Sequence, residues 1–155
     1  MSLAEVKELK SPAKKWVPAK KQILINGKWV DSKSGKTFEV ENPATGDIIA
    51  NVAEGDKADI DEAVKAARTA FESGPWKDMS ASERGKIIWK IGDLILKYAD
   101  ELAELESLDN GKPLAVAGAA DVPLSADLFH YMAGWATKIK GDTFPISTDH
   151  FYTPG

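Results

Sequence analysis

Residues 80–98 read SASERGKIIWKIGDLILKY. Ser80-Ala81-Ser82-Glu83 fits a capping box, in which the serine side chain and the glutamate three residues on each satisfy a backbone N–H that a helix start leaves free. Ile87, Ile88, Ile91, Leu94, Ile95 and Tyr98 then recur at helical spacing, predicting an amphipathic helix with a broad buried face. Gly85 and Gly92 lie inside it. Each costs about 1 kcal/mol relative to alanine, so their presence points to close helix packing. Leu102, Leu105 and Leu108 extend the stripe past an expected break at Asp100, and Asp109-Asn110-Gly111 ends it.

Upstream, Ile60, Val64, Ala67 and Phe71 form another stripe. Asp56 is its expected N-cap, Asp59 and Asp61 suit the positive end of the helix dipole, and Ser73-Gly74-Pro75 stops it. Downstream, Pro113 suits the first turn of a third helix, whose stripe is Leu124, Leu128, Met132, Trp135 and Ile139. Pro123 falls inside that pattern and should kink or split it. Gly141 after Lys138 and Lys140 closes it.

Ahead of the helices the period is that of strands. Gln22–Val30 carries Asn26-Gly27, the strongest short hairpin signal. Thr37–Glu41 and Ile48–Val52 read as two more strands around the turn Asn42-Pro43-Ala44-Thr45-Gly46-Asp47, giving a small antiparallel meander. Thr143–Ile146 looks like another strand start. The expected class is therefore α/β: short strands plus three amphipathic helices. No strand alternates with the helices, so a complete βαβ unit is absent.

Composition narrows the function. The chain has 155 residues, room for one domain or a piece of a larger one, and 43% hydrophobic content makes it globular. Six lysines against Glu5 and Glu8 give residues 1–21 a charge of +4, leaving −8 on the remainder of a chain whose total is −4. A nucleic-acid partner, which needs a basic surface, is not expected, and neither is a membrane span. Residues 1–21 read as a flexible basic tail broken by Pro12 and Pro18. Without an apolar stretch after those lysines, the expected location is cytoplasmic. The chain contains no cysteine, which excludes a thiolate nucleophile within these residues. His130 and His150 lack convincing metal partners, and His130 reads as a surface residue. The clusters Asp59-Asp61-Glu62 and Glu101-Glu104-Glu106 read as solvated faces. No glycine-rich phosphate loop occurs.

A run of motifs carries a resemblance. Asn26-Gly27-Lys28-Trp29, Ser34-Gly35-Lys36-Thr37-Phe38, Asn42-Pro43-Ala44-Thr45-Gly46, Ala63–Ala67, Pro75-Trp76, Ser82-Glu83-Arg84-Gly85, Leu108–Pro113 and Ala133-Gly134-Trp135-Ala136 occur in order across residues 22–146. Together the segment resembles the amino-terminal part of the aldehyde dehydrogenase superfamily, most closely the nonspecific NAD-linked branch. The resemblance implies an incomplete coenzyme-binding domain over residues 22–140, with residues 141–155 starting an oligomerisation hairpin. It implies a parent enzyme, an oligomer, that oxidises an aldehyde to a carboxylic acid with NAD or NADP. In that family a cysteine thiolate attacks the carbonyl, hydride leaves to the coenzyme, and a glutamate helps water release the thioester. An asparagine and backbone N–H groups stabilise the oxyanion. These residues and the main coenzyme contacts lie downstream of Gly155 in the family, so the 155-residue chain alone is expected to be inactive.

Two family sites map onto the segment. A structural Na or K ion would take main-chain oxygens at Val40 and Glu41 together with Asp109, oxygen donors that suit a hard cation; Asp109 as a plain turn cap is the alternative. The mouth of the aldehyde tunnel would be lined by Ala120, Asp121 and Leu124, with ordinary core or surface roles as the alternative. Pro123 departs from the family pattern. The rival to the enzyme reading is a non-enzymatic binding or interaction module that reuses this segment.

Overall fold

The computed structural model describes residues 20–142, Phe144–Pro145 and Phe151–Tyr152. The strands are β1 (Lys20–Lys21), β2 (Ile23–Ile25), β3 (Lys28–Val30), β4 (Thr37–Glu41) and β5 (Ile48–Ala53). The helices are α1 (Lys57–Ser73), α2 (Pro75–Asp78), α3 (Ala81–Lys97), α4 (Ala99–Asn110), α5 (Leu114–Val116) and α6 (Val122–Trp135), with a π-helical segment, Ala117–Asp121, joining the last two. A final pair, β6 (Phe144–Pro145) and β7 (Phe151–Tyr152), follows.

β2 and β3 form the expected antiparallel hairpin, turning through Asn26 at φ 51° and Gly27 at φ 71°. Both central residues lie in the left-handed region, as a turn matching the strand twist requires. The hairpin does not continue into a single meander. β4 pairs antiparallel with β5, and β5 pairs in parallel with β1, making a separate three-stranded sheet. Lys20 and Lys21 thus leave the expected tail and join a sheet edge, because β5 offers them unpaired backbone groups. The remainder of that tail, residues 1–19, lies outside the described residues, as do Thr143, Ile146 and His150. Of the strand expected at 143–146, Phe144 and Pro145 are described and pair antiparallel with Tyr152 and Phe151.

α1 starts as expected at Asp56, whose side chain accepts the Ala58 N–H. Asp59 does more than face the dipole. It is only 2% exposed and accepts N–H groups from Asp56 and from Lys33, each at 3.0 Å, clamping α1 onto the loop that follows the hairpin. The Asp56 N–H holds its carboxyl below the usual aspartate range; burial opposes this, and the Lys33 N–H adds to it. A carboxyl whose folded pKa is depressed contributes stability that is present above its unfolded pKa and lost as pH falls through the folded value. Thermal melts of Asp59→Asn should therefore lose part of the acid sensitivity that the parent chain shows below about pH 4. Identical pH profiles for the two proteins would refute this.

α3 carries the expected capping box, with Ser80 accepting from the Glu83 N–H and the Glu83 carboxylate accepting from the Ser80 N–H. The helix breaks at Tyr98 rather than Asp100. α3 packs most extensively on α6. The faces that meet are not the large apolar stripes. Ala126 and Ala133 of α6 are buried, and a Cβ at Gly85 or Gly92 would come within 3.0 Å of α6 backbone oxygens. Small residues let the two backbones approach, so Leu124, Leu128, Met132 and Trp135 face outward, as do Ile87, Ile91 and Leu94 of α3 and Ile60, Val64 and Phe71 of α1. A small core joins α4 to the π segment and α6 through Ala103, Ala117 and Val122, with Ile95, Ala99 and Leu102 packed against it.

Candidate functional site

The helical rod of residues 114–135 is continuous through Pro123, neither split nor stopped. Proline has no N–H to continue an α-helical ladder. Here Pro123 sits in the first turn of α6, immediately after the π segment, and the Val122 N–H bonds back to the Ala117 carbonyl over the wider π spacing.

Beside this segment lies a groove of about 570 Å³ between α4 and α6. Its walls are apolar (Ile95, Leu102, Val122, Leu124 and Leu128), and its polar lining is Glu106, Asp121 and Ser125. Two of the three expected tunnel residues, Asp121 and Leu124, are brought together there. Ala120 is partly buried and does not line it. Lys112 bridges the rim, its Nζ 2.6 Å from Asp121 Oδ2 and 3.8 Å from Glu106 Oε1. Its hydrogen bond to Asp121 raises the ammonium pKa, partial desolvation works against this, and the charges of Asp121 and Glu106 reinforce it. Asn110 fixes the arrangement from the side: its Nδ2 donates to Glu106 Oε1 at 2.6 Å, and its Oδ1 accepts the Lys112 N–H at 2.8 Å.

The expected cation residues are approached from two elements. The β4–β5 register shifts between Val40 and Glu41, an irregularity that interrupts the ladder where carbonyls would be needed. Asn42 organises the following turn, accepting the Ala44 N–H on its side chain and the Gly46 N–H on its carbonyl. Pro43 in that turn abuts Gly111, the left-handed C-cap of α4 at φ 77°. Asp109 is exposed two residues before that cap. Among the described residues no three His, Cys, Asp or Glu side chains converge as metal ligands, so a site here would rest on main-chain oxygens with one acid. That donor set suits a hard monovalent cation.

His130 is partly buried, its side chain 19% exposed, and it is engaged rather than free at the surface. It stacks on Trp89 with ring centroids 4.3 Å apart, donates from Nε2 to Asp93 Oδ1 at 3.1 Å, and covers Gly92. It pins α6 to α3. A readable signal lay in the matched spacing of Gly85 and Gly92 with Ala126 and Ala133. The Lys112 bridge had none, because its partners lie six residues before it and nine after it.

Residues 29–153 match the sequence profile of the aldehyde dehydrogenase family. The chain belongs to that family. It is 54% identical over 129 residues to aldehyde dehydrogenase family 2 member B4, mitochondrial, of Arabidopsis thaliana, covering 83% of this chain and 24% of the relative. Against the mitochondrial aldehyde dehydrogenase of Homo sapiens identity is 50% over 131 residues, 84% of this chain and 25% of the relative. The fold matches the NAD+ complex of the Bacillus cereus aldehyde dehydrogenase with a TM-score of 0.86 and 49% identity, covering 93% of this chain and 29% of that one. The chain thus spans about a quarter of the length of the curated relatives it matches. The sequence holds no glycine-rich phosphate loop, and among the described residues the parallel strand pair, β1 with β5, is not joined by a helix. With no cysteine, the chain offers no thiolate to attack a carbonyl.

Proposed function

We propose that this chain forms the amino-terminal part of the coenzyme-binding domain of an enzyme that oxidises an aldehyde to a carboxylic acid with NAD or NADP, and that alone it is inactive. The observation that carries this reading is the family match over residues 29–153 in a chain without cysteine. The coenzyme, when bound, accepts the hydride. The role of these residues is to frame the groove beside Asp121 and Leu124 and to brace neighbouring elements. The same reading includes a monovalent cation held near Val40, Glu41 and Asp109.

A chimera tests it. Residues 22–146 of this chain replace the matching segment of the Bacillus cereus enzyme, and NADH formation is followed with an aldehyde and NAD+. The chimera should oxidise the aldehyde, while the 155-residue chain alone should form no NADH. A chimera that melts cooperatively yet is inactive would favour the interaction-module reading, and NADH from the isolated chain would overturn the claim of inactivity.

We further propose a homo-oligomer in the cytoplasm. The outward apolar faces of α1 and α6, with Phe71 75% exposed, support self-association. Light scattering that returns a monomer mass would overturn the oligomer, and a fluorescent fusion found inside an organelle would overturn the location.

A further inference from the structure

We propose that the α4–α6 groove acts as a charge filter, admitting uncharged apolar molecules and rejecting anionic ones, with Glu106 and Asp121 as specificity-determining residues and Lys112 as the residue that positions them. That the admitted molecule is an aldehyde rests on the function proposed above; the charge selection does not.

Apolar side chains from α3, α4 and α6 make up most of the groove lining and suit a hydrocarbon chain. Its two charged lining residues, Glu106 and Asp121, are both carboxylates. Lys112 hydrogen-bonds to Asp121 at 2.6 Å and forms a longer ion pair with Glu106 at 3.8 Å, so the rim carries a net charge of −1 rather than −2. The carboxylates are not free to swing away. Asp121 is held by the short contact to Lys112, and Glu106 by Asn110. All three charged side chains stay partly open to solvent, between 34% and 42% exposed, which weakens the field without abolishing it. A second negative charge about 6 Å from this rim would bind about three- to tenfold more weakly than a neutral group of the same shape. A rim built around Lys112 alone would do the opposite. The sign of the selection therefore depends on the two acids outnumbering the one lysine.

Hexanamide and hexanoate are matched probes, differing mainly in charge. Their binding to the 155-residue chain is compared by ligand-observed saturation-transfer NMR. The parent chain should prefer hexanamide by about three- to tenfold, and Lys112→Met should widen the preference, since both carboxylates then stand unneutralised. Glu106→Gln combined with Asp121→Asn should abolish or invert it, because Lys112 becomes the only charge at the rim. A loss of folding would weaken both probes together, so their ratio reports the filter and not the scaffold. Equal binding of the two probes to the parent chain overturns the proposal, and so does a ratio that neither variant moves. An inactive chimera would sink the enzyme reading and leave this ratio untouched, while an active chimera with equal probe binding would sink the filter alone.

Discussion

Gly92→Val should lower the melting temperature of the chain by roughly 6–12 °C, the counterpart of about 3 kcal/mol for a protein of this size. A Cβ at position 92 would lie 2.5 Å from His130 Cδ2 and Nε2 and 3.0 Å from the Ala126 carbonyl oxygen. The imidazole has no easy retreat, because it is stacked on Trp89 and bonded to Asp93. The Ala126 oxygen belongs to the α6 backbone, so relief there means moving the helix. Against this, alanine in place of glycine favours the helix by about 1 kcal/mol. Gly92→Ala should therefore cost less than the valine variant, about 1 kcal/mol net. Removing the ring as well, in Gly92→Ala with His130→Ala, should recover part of the loss, a coupling that a double-mutant cycle of thermal melts would detect. Additive effects would mean that the two residues do not share the contact, and an unchanged melt for Gly92→Val would refute the packing of α3 on α6.

Gly111→Val should cost about 2–4 kcal/mol, since a β-branched residue at positive φ is strained and meets a second obstacle here. Gly111 has φ 77°, and a Cβ would stand 3.0 Å from Pro43 Cγ. Asparagine tolerates the left-handed conformation, so Gly111→Asn isolates the collision with Pro43 and should cost less. The variant also reports on the cation. A ligand that binds only the folded state raises the melting temperature. If main-chain oxygens at Val40 and Glu41 hold a monovalent ion with Asp109, then Na+ or K+ should stabilise the parent chain relative to choline at equal ionic strength. Gly111→Val should lose that response, because it separates the end of α4 from the Asn42–Pro43 turn. A parent chain indifferent to the choice of cation would remove the ion from the account.

Much of the local structure was legible. Asn26-Gly27 specified a hairpin because two consecutive left-handed residues are tolerated by few other pairs. Asp56 and Ser80 announced helix starts because each, with the acid three residues on, satisfies N–H groups that have no other partner. Gly111 announced a helix end through its left-handed cap. Each device operates within a few residues, so its energy is present in the sequence window itself. The order of motifs along residues 22–146 carried the family as well, and the zero cysteine count removed the thiolate.

Other features depended on surfaces meeting. Periodicity marked Leu124, Leu128, Met132 and Trp135 as the buried stripe of α6, yet the face against α3 belongs to Ala126 and Ala133. Backbones approach most closely where side chains are smallest, and a hydrophobic pattern weights the large residues instead. His130 looked like a surface residue until α6 laid it over Gly92 and Trp89, 37 residues from its partner Asp93. Lys20 and Lys21 joined a parallel edge because β5, some thirty residues later, offered free backbone groups. Lys112 drew Glu106 and Asp121 to one rim only once α4 and the π segment had packed together. The sequence by itself determined the caps, the turns, the family and the missing thiolate, whose causes are local or compositional. Tertiary structure decided which faces are buried and which charges meet, because those energies exist only between segments that the chain brings together on folding.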